Sequence, residues 1–199
     1  MDLLPMIISS GCSRIDEIKI QRVVDFANFN PEKGKKRWGV KPEIFRKGVL
    51  EGRIPLHTGL FESMTMISDA LGWNLENILE GWDMIVSKRL RQTSHFTVNP
   101  GEVAGWRQIA IGTVQGEMKI SLKYYGFLSP TLEDDGMEAG NNTWIYGEPN
   151  LSLITKGTTQ RGDLVTTNRL VNILPAVIEA KPGLISVLDL PATPPIPDK

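Results

Sequence analysis

Along residues 15–26 apolar and polar side chains alternate, with Ile18, Ile20, Val24 and Phe26 on one parity and Glu17, Lys19, Gln21 and Asp25 on the other. A period of two predicts a half-buried strand. Arg22 falls on the apolar parity. It is either an edge arginine reaching round to solvent or a buried guanidinium facing a site. Further strands are predicted where Trp82, Met84, Val86 and Leu90 share one parity, over residues 104–114 with Trp106, Gln108, Ile109 and Ile111, and through Met118, Ile120, Leu122 and Tyr124. Gln115-Gly116 joins the last two as a hairpin. A second hairpin is predicted around Glu148-Pro149-Asn150, with Trp144 and Tyr146 before it and Leu151 and Leu153 after it.

Helical spacing occupies both ends. Met1 to Ser10 suits a short helix that begins without a cap or a preceding turn, as though its run-in lay upstream. Pro42 suits the first position of a helix carrying Ile44, Phe45 and Val49, stopped by Gly52. In the next, Thr58 is placed to cap, Leu60, Met64, Ile67 and Leu71 line one face, and Gly72 ends it. Glu62 and Asp69 lie opposite that face. Residues 28–41 and 133–142 read as polar loops. Asp163 is expected to cap a long helix with Leu164, Leu170, Val171, Leu174 and Ile178, kinked by Pro175. A short strand from Leu184 to Leu188 and an irregular proline-rich tail follow. The fold class is therefore α+β, a mixed and largely antiparallel sheet packed by helices. The expected division is one domain over 1–190 and a tail over 191–199.

Composition narrows the partners. Lys plus Arg (22) nearly balances Asp plus Glu (23), which argues against a nucleic-acid backbone binder. Cys12 is the single cysteine, and His57 and His95 are the only histidines, so neither a disulfide framework nor a metal site is expected. No apolar run approaches the roughly 20 residues of a membrane span, and the apolar start with Asp2 does not read as a leader, so the cytoplasm is the expected compartment. None of the 19 glycines stands in a G-x-G-x-x-G or a G-x-x-x-x-G-K-[ST] arrangement, so the usual dinucleotide cradle is missing.

Four segments carry more. They are IKIQRVVDFANF (Ile18 to Phe29), GVLEGRIPLHTGLFES (Gly48 to Ser63), VNPGEVAGWRQIAIG (Val98 to Gly112) and NRLVNILPAVIEAKPGLISVLDLP (Asn168 to Pro191). In this combination and order the chain resembles the C-terminal domain of the 2,4-diaminopentanoate dehydrogenase group, which is related to dihydrodipicolinate reductase. The resemblance implies a two-domain oxidoreductase in which an upstream Rossmann domain binds NAD or NADP. This chain would then be the substrate-binding and oligomerisation part, inactive without the nucleotide-binding domain or a split partner carrying it, and assembled as a homo-oligomer. The reductase's His-His-x-x-Lys motif is replaced by NFNPEKGKKRWG. The resemblance therefore points to a C–N bond of an amino-acid-like substrate, as in amine dehydrogenation or imine reduction, and away from dihydrodipicolinate.

Such chemistry needs a proton-transfer group and anchors for charged substrate ends. His57, just before a helix start and titrating near neutrality, is the candidate for proton transfer, or a histidine that packs locally. Glu62, one turn on, is placed to hydrogen-bond His57 or take a substrate ammonium, or is simply solvated. Arg22, Lys35, Lys36 and Arg37 are candidates for a substrate carboxylate, the last three in a basic loop that is otherwise a solvated run. Asn168 and Asn172, four apart, point amides to the cofactor side or hydrogen-bond on the helix surface. Trp38, Trp73, Trp82, Trp106 and Trp144 read as core or interface aromatics. The rival is a non-catalytic small-anion-binding or oligomerisation module.

Overall fold

A strand flanked on both sides organises the molecule. β1 (Arg14–Asp25) runs parallel to β6 (Glu117–Phe127) and antiparallel to β7 (Gly140–Glu148). In this computed structural model, which describes residues 1, 3–34, 36–157 and 162–195 with the side chains of Lys33 and Asp163 left aside, the six-stranded sheet has the order β2-β5-β6-β1-β7-β8. The outer members are β2 (Asn77–Val86), β5 (Val103–Val114) and β8 (Leu151–Thr155). Short strands β3 (Arg91–Gln92) and β4 (Thr97–Val98) pair separately. The chain divides into two compact units, Met1–Gln160 and Arg161–Lys199. The sheet belongs to the first, and the α+β class with one parallel pair in an otherwise antiparallel sheet is as predicted.

One face of the sheet is covered. Ile18, Ile20, Ile120, Leu122, Trp106 and Ala110 are buried there beneath α3 (Pro42–Leu50) and α4 (Leu60–Ala70), with α1 (Leu3–Ser9) beside α4. Leu60, Met64 and Ile67 supply the α4 contact, as their spacing dictates. Both predicted hairpins form. Gln115 and Gly116 take positive φ (53° and 76°), the geometry that lets a two-residue turn follow strand twist.

Several expectations change. Thr58 does not cap α4: the cap position is Gly59 at φ 97°, with no side-chain hydrogen bond to the helix start. Ile44 is exposed, and the buried contacts of α3 come from Phe45 and from Gly48 against Ile54. Val86 and Leu90 are exposed at and beyond the end of β2. Met118 is exposed because the β5–β6 ladder shifts between Gly112 and Thr113, putting it out of phase with Ile120. The basic loop contains a helical turn, α2 (Pro31–Gly34), started by Asn30 Oδ1 accepting from the Glu32 amide at 2.9 Å. The second polar loop opens with α5 (Leu132–Asp135), capped by Thr131, whose Oγ1 accepts from the Asp134 amide at 3.2 Å.

In the second unit α6 (Gly162–Glu179) contains Pro175 and exposes Leu164, Leu170, Val171, Leu174 and Ile178. The expected capping side chain of Asp163 lies outside the described residues. Leu184 to Leu188 is not a strand. Asp189 Oδ2 accepts from the Ser186 amide at 2.7 Å and from Ser186 Oγ at 2.9 Å, closing a turn there.

Candidate functional site

Strand register sets the site. Reading across the covered face, Trp82 pairs with Gln108, Gln108 with Tyr124, Tyr124 with Arg22 and Arg22 with Asn141. One cross-strand row thus carries four consecutive polar side chains over a sheet face that is otherwise apolar. Arg22 therefore points inward, and its Nε is buried with no hydrogen-bond partner. The residue as a whole is half-buried, and β1 is an inner strand, so Arg22 does not stand at a sheet edge.

His57 reaches this row from the loop before α4. Its imidazole lies on the Tyr124 ring at 4.0 Å between centroids and 3° from parallel. Its backbone is held by Gln108: the His57 N–H donates to Oε1 at 2.7 Å, and Nε2 donates to the His57 carbonyl at 2.8 Å. Trp106 Nε1 also donates to Gln108 Oε1, at 3.1 Å. Burial, then the nearby Arg22 cation, pushes the His57 pKa down to about 4. The expectation that it titrates near neutrality is thereby revised. At pH 7 the imidazole is neutral, able to donate one hydrogen bond and accept another. Burial pushes Tyr124 up to about 12 despite Arg22 and Arg37, so it remains a phenol.

Among its described residues, the basic loop contributes Arg37. The Arg37 guanidinium lies 5.7 Å from the ring centroids of both Phe29 and Trp106. Its charge acts on Tyr124 and burial lowers its own pKa. Among the described residues neither Arg22 nor Arg37 has a carboxylate partner. Phe26, Phe29, Trp38, Phe96 and Trp106 form a contiguous aromatic wall beside them, with centroid spacings of 5.1–6.4 Å. Chemically, the arrangement offers two cations and neutral hydrogen-bonding rings against an aromatic surface, which suits a carboxylate on an otherwise apolar or neutral frame.

The other described candidates of the first unit separate from this cluster. Lys36 is exposed, and Lys35 lies outside the described residues. Glu62 is exposed on α4, with no hydrogen bond to His57, though its charge acts weakly on it. Asn168 is exposed and Asn172 half-buried on α6, in the second unit. In the sequence Tyr124 and Gln108 read only as strand positions. The available signal was Gln108, a polar residue on the Trp106–Ala110 parity.

Among the described residues of the first unit, α3 and α4 follow loops, not glycine-rich strand ends, and no pyrophosphate cradle is formed. Among the described residues no group of His, Cys, Asp and Glu is placed to hold a metal ion, and no helix is long and apolar enough to cross a membrane.

Comparison with known proteins agrees with the fold. Residues 1–198 match the family model of the 2,4-diaminopentanoate dehydrogenase C-terminal domain. A 2,4-diaminopentanoate dehydrogenase of Acetoanaerobium sticklandii is 33% identical over 193 residues, covering 96% of this chain and 54% of that protein. An amine dehydrogenase of Streptomyces virginiae is 27% identical, covering 98% and 58%. The chain thus spans about half the length of the curated relatives it matches. The structure of an amine dehydrogenase from Mycobacterium smegmatis superposes with a TM-score of 0.77 at 21% identity, over 97% of this chain and 56% of that one.

Proposed function

The chain belongs to the 2,4-diaminopentanoate dehydrogenase C-terminal domain family, and on that premise we propose that it is the substrate-binding and oligomerisation part of an NAD(P)-dependent oxidoreductase acting on a C–N bond of an amino-acid-like substrate. The observation that carries the reading is the pair Arg22 and Arg37, cations without a carboxylate partner among the described residues, beside the neutral His57. NAD or NADP is assigned mainly to a nucleotide-binding domain outside this chain, a reading supported by the lack of a pyrophosphate cradle among the described residues of the first unit. The apolar surface of α6, with Asn168 and Asn172, is assigned to the side that meets that domain.

Within the site, Arg22 and Arg37 hold the substrate carboxylate, with Lys35 and Lys36 adding positive potential at the rim. Glu62 attracts the substrate ammonium. His57 takes or returns the amine proton. A carboxylate docked on Arg22 offsets the cation that depresses His57, so binding raises the proton affinity of the imidazole at the moment it is needed.

The test uses 2,4-diaminopentanoate. Fused to the nucleotide-binding half of the Acetoanaerobium sticklandii relative, the chain is expected to reduce NAD or NADP with this substrate or a related diamino or amino acid. The fusion with Arg22→Met should lose most of that rate. A folded fusion inactive across diamino, amino and imino acids overturns the reading, and calorimetric binding of simple carboxylates without turnover would favour the anion-binding module.

A further inference from the structure

Gln108 is 9% exposed on a face whose strand neighbours of the same parity are Trp106 and Ala110. A buried carboxamide at such a position is costly unless both its ends are satisfied. Both are, and two of its three bonds go to one backbone residue: Oε1 accepts the His57 N–H and Nε2 donates to the His57 carbonyl. A side-chain amide here takes the place of a strand neighbour, pairing with His57 as one peptide unit pairs with another. The loop before α4 is tied back at its start, where the Arg53 and Ile54 amides donate to the Gly48 carbonyl at 2.8 and 2.9 Å, and further along the Gln108 pairing fixes where the His57 Cα sits and which way its side chain leaves the chain.

We propose that Gln108 is the positioning residue of the site, clamping the His57 backbone so that the imidazole lies flat on Tyr124 next to Arg22. The inference rests on the reading of His57 as the proton-transfer group. No other residue type fills the role. Glutamate keeps the acceptor but has no donor for the His57 carbonyl, asparagine is one methylene short, and an apolar side chain leaves the Trp106 indole N–H and both His57 backbone groups unpaired. The stacked position removes one face of the imidazole from water and sets its charged surroundings: Arg22 from β1, the phenol of Tyr124 from β6, Glu62 from α4 and the amino terminus. Released from the clamp, the ring moves into solvent and its titration returns towards the ordinary histidine range.

The test reads the His57 ring by NMR in the full chain, with His57→Gln assigning its signals against His95. In the native chain the midpoint is expected at about 4, with ring protons shifted upfield by Tyr124. Gln108→Met should raise the midpoint by roughly one unit or more and abolish the upfield shift. Trp106→Phe removes the third bond to Gln108 together with part of the aromatic wall but spares both bonds to the His57 backbone, and should leave the midpoint and the upfield shift in place. If Gln108→Met does not fold, Gln108→Glu preserves volume and the accepted bonds, and loss of the upfield shift is the readout. A folded Gln108 variant with His57 still stacked and its midpoint unmoved overturns the proposal. Turnover of the fused enzyme unchanged by His57→Gln would instead remove the proton-transfer role, leaving the titration result standing.

Discussion

Arg22 and Tyr124 are register partners on the parallel strands β1 and β6, a cation facing a phenol across a ladder whose neighbouring rungs are Ile20–Leu122 and Val24–Gly126. The charge of Arg22 acts on both Tyr124 and His57, lowering each. Arg22→Met should therefore raise the His57 midpoint above its value of about 4 and raise Tyr124 further. A charge-assisted hydrogen bond is worth about 1.5–3 kcal/mol, so carboxylate affinity should fall by roughly tenfold to a hundredfold. NMR titration with calorimetry reads both. A carboxylate that binds Arg22→Met as tightly as the native chain would dissociate Arg22 from the ligand.

Stability should carry the mark of His57. The folded pKa is about 4 against an ordinary 6.5, so the unfolded chain binds more protons between those values. The contribution is fully present above pH 6.5 and is lost as the pH falls through that window to about 4. Thermal unfolding followed across the window should show a steeper fall in Tm for the native chain than for His57→Gln. Parallel curves would mean that the imidazole is hydrated in the folded state.

Gly126 lies opposite Trp106 on β5, and a Cβ built there would come within 2.5 Å of the indole ring. Gly126→Ala must push Trp106 aside, at a cost of roughly 1–3 kcal/mol. Because Trp106 also donates to Gln108 and faces Arg37, ligand affinity should drop with stability. Denaturant unfolding and calorimetry on one preparation test the pairing of effects, and an unchanged affinity in a destabilised variant would separate the wall from the site.

A second, purely structural cation lies outside the cluster. Arg91 is 4% exposed and donates to the carbonyl of Ser129 at 3.0 Å and to both carboxylate oxygens of Asp135, tying β3 to α5 and the turn before it. Burial raises Asp135, but the Arg91 hydrogen bond and charge outweigh it and leave the carboxyl below its usual range. Asp135→Ala strands a buried guanidinium and should cost about 3–5 kcal/mol without altering carboxylate affinity. A loss within experimental error would show that water replaces the carboxylate.

The face of the sheet away from α3 and α4 exposes Leu79, Met118, Tyr146 and Ile154, with Ile109, Ile111 and Trp144 half-buried among them. Self-association through this face follows from the proposed assembly role. Leu79→Lys should shift the native chain towards monomer in light scattering at micromolar concentration. A monomeric native chain would refute the assembly role outright.

The period-two strands, the α4 stripe and the Gln115-Gly116 turn were legible because each depends on neighbours in sequence. The site was less so. Arg22 was flagged by its parity, yet only the register of β1 and β6 sets it against Tyr124. Tyr124 and Gln108 looked like ordinary strand residues, since nothing in a linear pattern shows that His57, 51 positions before Gln108, supplies both backbone partners. Local chemistry was also misjudged where backbone conformation decides it, as at Gly59, which starts α4 in a left-handed geometry that leaves Thr58 without a capping role.

Pairing β1 with β6 also has a consequence in time. The two strands are about a hundred residues apart, and no ladder can form between them until that span of chain has closed on itself. During synthesis β2 and β5 are both made before β6, and β1 waits for β6 and β7 with both edges open. Arg22 is made early and completed late. A ribosome paused before residue 117 would hold a nascent chain in which this arginine lacks both of its neighbouring strands, β6 and β7.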